Sequence, residues 1–158
     1  MTDTTARELG TRWLAALADH DLGPWRPGMR VLPVPDSDPE ERDLESGMTT
    51  EPGDVATVVS TRGRCVTVAW ETDAASAEGG TLLSDDVPDL RDPATIGAAL
   101  GVLREVMGKP MLFLAPASDA SWAVFYGLDL LGYLDEGATE SEAIVCAAEA
   151  WAARGGVS

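Results

Sequence analysis

Gly53 to Trp70, GDVATVVSTRGRCVTVAW, sets two strand patterns on either side of a turn signal. Val55, Thr57 and Val59 alternate along the first arm. Cys65, Thr67 and Ala69 fill one side of the second arm, with Val66, Val68 and Trp70 on the other. β-Branched residues suit a pleated, half-buried surface, and Gly63 lies in the connection from Ser60 to Arg64. The stretch predicts a β-hairpin around which the middle of the chain is organised.

Upstream of it, Pro27-Gly28 leads into a short strand pattern from Met29 to Leu32. Pro33, Pro35, Pro39 and Pro52 then interrupt any regular element, and Asp36, Asp38, Glu40, Glu41, Asp43, Glu45, Glu51 and Asp54 crowd around a single Arg42. This composition predicts a long acidic loop with room for one helical turn near Glu40 to Leu44. Downstream, Glu71 to Gly80 reads as a polar connection, and Thr81 to Leu83 as a closing strand before a turn at Asp85-Asp86-Val87.

A Gly-Asp-Val-x-x-Val-Val strand followed by a Val-x-Val-x-Trp strand resembles the SH3-like small barrels of the KOW and Tudor type, over roughly residues 28 to 90. The resemblance implies a small antiparallel barrel. Such barrels bind nucleic acid through basic loops or modified peptides through an aromatic cage. Residues 28 to 90 hold 4 Arg against 14 Asp and Glu, and Trp70 is their one aromatic residue. The resemblance therefore carries a fold and no binding residues.

The flanks read as helical. Thr5 and Glu8 have capping-box spacing, and Leu9, Trp13 and Leu17 repeat every four residues, predicting a helix from about Ala6 to Asp19 that Gly23-Pro24 ends. Trp13 and Trp25 are expected in the core rather than stacking on a ligand. Asp92 followed by Pro93 marks a second helix start. Ile96, Leu100, Leu103 and Met107 trace its buried face until Gly108 and Pro110. Gly97 and Gly101, four apart on that helix, permit a close contact, read as ordinary packing against the sheet rather than as a docking face. Strands are predicted at Met111 to Leu114, Trp122 to Tyr126 and Leu130 to Leu134. Thr139 and Glu142 then open a last helix, with Ile144, Ala148 and Trp151 inward, that ends near Arg154.

This order is also that of a double-stranded-RNA-binding domain. Residues 91 to 158, however, hold 4 basic and 9 acidic residues, and Glu140 and Glu142 stand where such domains place lysines. The string from Val87 to Gly97, a Leu-Arg-Glu helix and the Thr-Glu-Ser-Glu-Ala opening of the last helix resemble small uncharacterised phage and prophage proteins of high-GC bacteria, over about residues 87 to 154. That resemblance implies a mobile-element accessory protein. The whole reads as an α+β chain: an N-terminal helix in 1–27, an SH3-like barrel with a long acidic loop in 28–90, and an α-β-β-(β)-α segment in 91–158.

With 11 Lys and Arg against 27 Asp and Glu, the net charge is -16. Such a surface repels nucleic acid and anionic membranes and favours basic partners. The N-terminus lacks a leader pattern and no window reaches membrane-spanning length, so a cytoplasmic protein is expected. Cys65 and Cys146 are expected as buried thiols. His20, the one histidine, is expected as a solvated cation at a helix end. No metal-ligand spacing, phosphate loop or nucleophile motif occurs, so neither cofactor nor metal is expected and the chain is read as a non-enzyme.

Two further roles fit the acidity. Asp36, Asp38, Glu40, Glu41, Asp43 and Glu45, with Glu71 and Asp73 on the next loop, would compete with nucleic-acid phosphates for a basic groove on a host defence nuclease or CRISPR effector. Alternatively the acids only keep a phage structural or assembly component soluble. A small hydrolase using an unrecognised carboxylate pair is the third reading. A mimic requires its carboxylates on one continuous face; solubility does not.

Overall fold

The computed structural model describes residues 2–20, 23–33, 55–62, 65–71, 76–80, 82, 86–125 and 133–154. Its first helix, α1 (Asp3–Ala16), starts one turn earlier than the capping-box spacing suggests. Thr2 is the cap: its hydroxyl accepts the Thr5 amide at 3.2 Å, so Thr5 serves as the third helical residue. The helix stops at Ala16, short of Asp19, and buries Ala6, Leu9 and Trp13.

The predicted hairpin is present as β2 (Val55–Arg62) and β3 (Cys65–Glu71), paired antiparallel. Its arms are longer than the sequence suggests. Arg62 pairs with Cys65, so the connection shrinks to residues 63 and 64, matching the preference of hairpins for two-residue loops. Ala56 and Val58 are buried while Val59 is 44% exposed, and the register slips between Val58 and Ser60, leaving Val59 without a cross-strand partner. A bulge of this kind reverses which residues face the core beyond it.

Around the hairpin the sheet grows to five antiparallel strands in the order β4-β3-β2-β1-β5, with β1 at Arg30–Leu32, β4 at Ser76–Gly80 and β5 at Val87–Pro88. β4 occupies part of the stretch expected to be a polar connection. Val87–Pro88 pairs with β1 at one edge of the sheet; of the predicted closing strand, Thr81 and Leu83 lie outside the described residues and Leu82 is in no strand. Among the described residues the sheet is open, with β4 and β5 as its two edges.

The C-terminal part follows the expected order: α2 (Pro93–Met107), β6 (Phe113–Ser118), β7 (Ser121–Phe125), β8 (Tyr133–Gly137) and α3 (Glu140–Ala153). β6 to β8 form a separate antiparallel sheet in sequence order. β6 and β8 lie two to three residues later than their predicted starts, and β6 contains Pro116, which an edge strand tolerates because it owes no hydrogen bond on its free side. Both helices begin as predicted. The Asp92 carboxylate accepts from the amide and hydroxyl of Thr95, at 3.0 and 2.9 Å, and Thr139 accepts the Glu142 amide at 3.1 Å. Gly108, at φ 63°, closes α2 in the left-handed conformation that glycine adopts without strain.

One hydrophobic cluster takes side chains from all of these parts: Trp13 and Leu17, Met29 and Val31, Val58 and Val68, Leu103, Val124, Ile144 and Trp151. Trp13 is fully buried and its indole N–H donates to the Pro24 carbonyl at 3.2 Å. Trp25 is buried as well. His20, expected in solvent, is half-buried with its ring 5.9 Å from that of Trp151. Cys146, expected in the core, is half-buried.

Glycines separate tight from open packing. A Cβ at Gly10 would lie 2.7 Å from the Val87 Cβ, where α1 crosses β5, and one at Gly137 would lie 2.5 Å from the Ala143 nitrogen. Among the described residues nothing would stand within 4 Å of a Cβ at Gly97 or Gly101. Gly10→Ala and Gly137→Ala should therefore each destabilise the protein by about 1–3 kcal/mol. Gly97→Ala should stabilise it by about 0.5–1 kcal/mol through helix propensity alone, and urea unfolding of the three variants measures both signs.

Candidate functional site

The residues expected to contact a partner divide by position. Asp36, Asp38, Glu40, Glu41, Asp43, Glu45 and Asp73 lie outside the described residues. Glu71 ends β3, where its backbone pairs with Val55 on one side and Ser76 on the other. Neither the continuity of the acidic face nor its geometry is therefore part of the described structure.

The described residues do show what becomes of the positive charge. Arg12 on α1 makes a two-point contact with Glu149 on α3, its Nε at 3.1 Å, and its Nη2 approaches the Cys146 sulfur at 3.7 Å. Arg26 reaches Glu105 at 2.7 Å. Arg91 binds Asp89 through Nε at 2.9 Å and also pairs with Asp3. Arg7 donates to the Pro33 carbonyl at 2.7 Å and Arg104 to the Leu112 carbonyl at 2.8 Å. Hydrogen bonding to Glu149 raises the pKa of Arg12, against a smaller opposing effect of burial, and hydrogen bonding to Asp89 does the same for Arg91. These guanidiniums stay charged and are turned onto the protein itself.

Where the C-terminal helices begin, a cleft of about 600 Å³ opens. Leu90, Ile96 and Trp122 of β7 line it, and Arg91 and Glu140 stand among its polar residues. The local fold explains why Trp122 is accessible. Its cross-strand neighbours are Pro116 on β6 and Gly137 on β8, neither of which carries a long side chain to cover it. Gly137 is in turn pressed against the first turn of α3, which places the start of that helix beside the indole. The floor is fixed by Ser141, a buried hydroxyl that donates to the Leu90 carbonyl.

The charges around this cleft are unevenly matched. Arg91 is held by Asp89 and Asp3. Among the described residues Glu140 has no ion-pair or hydrogen-bond partner for its carboxylate, and the half-buried Trp122 has none for its indole N–H. Sequence reading placed Trp122 only as a strand residue and Glu140 only as a helix-start acid. The spacing of Trp122 to Gly137, which brings them together, carries no signal in the sequence. Also among the described residues, no group of three or more His, Cys, Asp or Glu converges as a metal site would require, and no helix is long and apolar enough to cross a membrane.

Compared with known proteins, the chain matches no protein-family model, no curated protein and no solved structure.

The Arg12–Glu149 pair shows how little stability these contacts represent. Both side chains are 41% exposed, and ion pairs so open to water contribute about 0.2–1 kcal/mol. A double-mutant cycle of Arg12→Ala and Glu149→Ala in urea unfolding should return a coupling within that range, declining as salt is added.

Proposed function

We propose that this chain is a non-enzymatic protein-binding module, encoded by a phage or other mobile element of a high-GC bacterium and acting in the host cytoplasm on a basic protein partner. In the sharpest form of the reading, its carboxylates compete with nucleic-acid phosphates for a basic groove on a host defence nuclease or CRISPR effector. The supporting observation is the internal engagement of the arginines. A chain with 11 basic and 27 acidic residues turns Arg7, Arg12, Arg26, Arg91 and Arg104 onto its own carbonyls and carboxylates. Five of the eleven basic residues are thus engaged within the protein, and the excess of acidic over basic residues sets the sign of the field that a partner meets.

The acidic stretch from Asp36 to Glu45, with Glu71 and Asp73, is the proposed contact. A basic groove does not distinguish carboxylate from phosphate by charge alone, so the same field that repels nucleic acid recruits proteins that bind it. The strand order β4-β3-β2-β1-β5, with β5 returning beside β1, supports an SH3-like barrel as the scaffold for that loop.

The test is recovery of partners from host lysate at about 0.05 M and about 0.5 M salt, with the wild-type chain and with Asp36→Asn, Asp38→Asn, Glu40→Gln, Glu41→Gln, Asp43→Asn and Glu45→Gln combined. Expected is a nucleic-acid-binding protein retained at least tenfold better at low salt, displaced by its own DNA or RNA, and lost with the combined variant while the variant's melting transition is unchanged. Recovery that ignores both salt and the six substitutions would remove the acidic surface from the interaction.

A further inference from the structure

The cleft between the starts of α2 and α3 combines two groups that the fold does not use: the Trp122 indole and the Glu140 carboxylate. We propose that it seats an arginine side chain of the basic protein partner, the guanidinium lying on the face of Trp122 and pairing with Glu140. The inference rests on the reading of a basic partner and names a second point of contact, separate from the acidic loop.

Three features select that occupant. Leu90, Ile96 and Trp122 offer apolar walls within about 600 Å³, which suits an aliphatic stem better than a fully hydrated ion. Trp122 presents an aromatic surface with no ring partner among the described residues, and a planar cation gains most over an indole. The one cation that lines the cleft, Arg91, is already engaged by Asp3 and Asp89, whereas Glu140 lines it with Asp92 and Glu142 next in the chain to other lining residues.

Helix starts ordinarily favour anions, so their effect has to be weighed here. Both starts are already matched from within. Asp92 accepts from Thr95 at the head of α2, Thr139 accepts from Glu142 at the head of α3, and Arg91 is occupied by two carboxylates. With Glu140 and Glu142 in the first turn of α3, the residual local charge favours a cation. An arginine is preferred over a lysine because its flat, weakly hydrated head can stack on the ring and pair with the carboxylate simultaneously.

The experiment uses the full chain labelled with ¹⁵N and titrated at low salt with the blocked pentapeptide acetyl-GGRGG-amide, its lysine analogue and its uncharged citrulline analogue. The Trp122 indole resonance is assigned through Trp122→Phe. Expected is saturable movement of the Trp122 indole and Glu140 amide signals with the arginine peptide, weaker binding of the lysine peptide, and affinity lowered roughly three- to tenfold in Glu140→Gln. Equal movement with citrulline would overturn recognition by charge. Movement confined to other residues would overturn the cleft and leave the acidic-surface reading standing. No movement with any peptide would overturn the cleft too, while salt-dependent recovery of a partner by the wild-type chain would still uphold the broader reading.

Discussion

The backbone from Val87 to Asp92 has to satisfy every major part of the fold at once. Val87 and Pro88 pair with Leu32 and Val31 to complete one edge of the five-stranded sheet. The Asp89 amide continues the link to β1 by donating to the Arg30 carbonyl at 2.8 Å. α1 approaches so closely at Gly10 that Val87 leaves no room for a methyl group. Leu90 is fully buried and its carbonyl takes the Ser141 hydroxyl at the head of α3. Asp92 then caps α2. Six residues thus join a helix, a sheet and a second helical layer. Displacing any one would leave buried polar groups without partners.

That junction also organises the electrostatics. Asp89 is largely buried with Arg91 folded back onto it, while Asp3 from the start of α1 binds the same guanidinium from the solvent side. Buried charge of this kind needs a partner fixed by geometry. Arg91 is fixed because Asp89 also accepts its amide at 3.1 Å. Elsewhere Arg12 ties α1 to α3 and Arg26 ties the start of the sheet to α2. These three arginines therefore serve as joints between elements.

The sequence was most readable where local chemistry decides structure. The β2–β3 hairpin, the Asp92-Pro93 and Thr139 helix starts and the Gly108 stop are each encoded within a few residues. It was least readable where a neighbouring element decides. Ser76–Gly80 has poor intrinsic strand character, yet it pairs because β3 offers an open edge. Val87–Pro88 is too short for any periodicity and is a strand only through β1. The bulge at Val59 carries no signal in the alternation along the arm. The acidic residues stood out by composition, whereas Trp122 and Glu140 became neighbours only through strand register and the turn into α3.

α2 illustrates how such a fold distributes its stability. Gly97 and Gly101 weaken the middle of the helix by about 1 kcal/mol each relative to alanine, and among the described residues no close packing calls for a glycine at either position. The helix persists because its ends and its inner face are well determined. Asp92 and Pro93 hold the first turn, Gly108 closes the last, and Thr95, Ala99, Val102, Leu103, Val106 and Met107 bury one side. The Thr95 hydroxyl adds a tie to the sheet by accepting the Arg30 amide at 2.8 Å. The region beside the cleft is consequently anchored to β1 at one end of α2 and to the core along its length. A ligand settling between Ile96 and Trp122 would meet walls that are already in place, so little ordering of the protein would offset its binding.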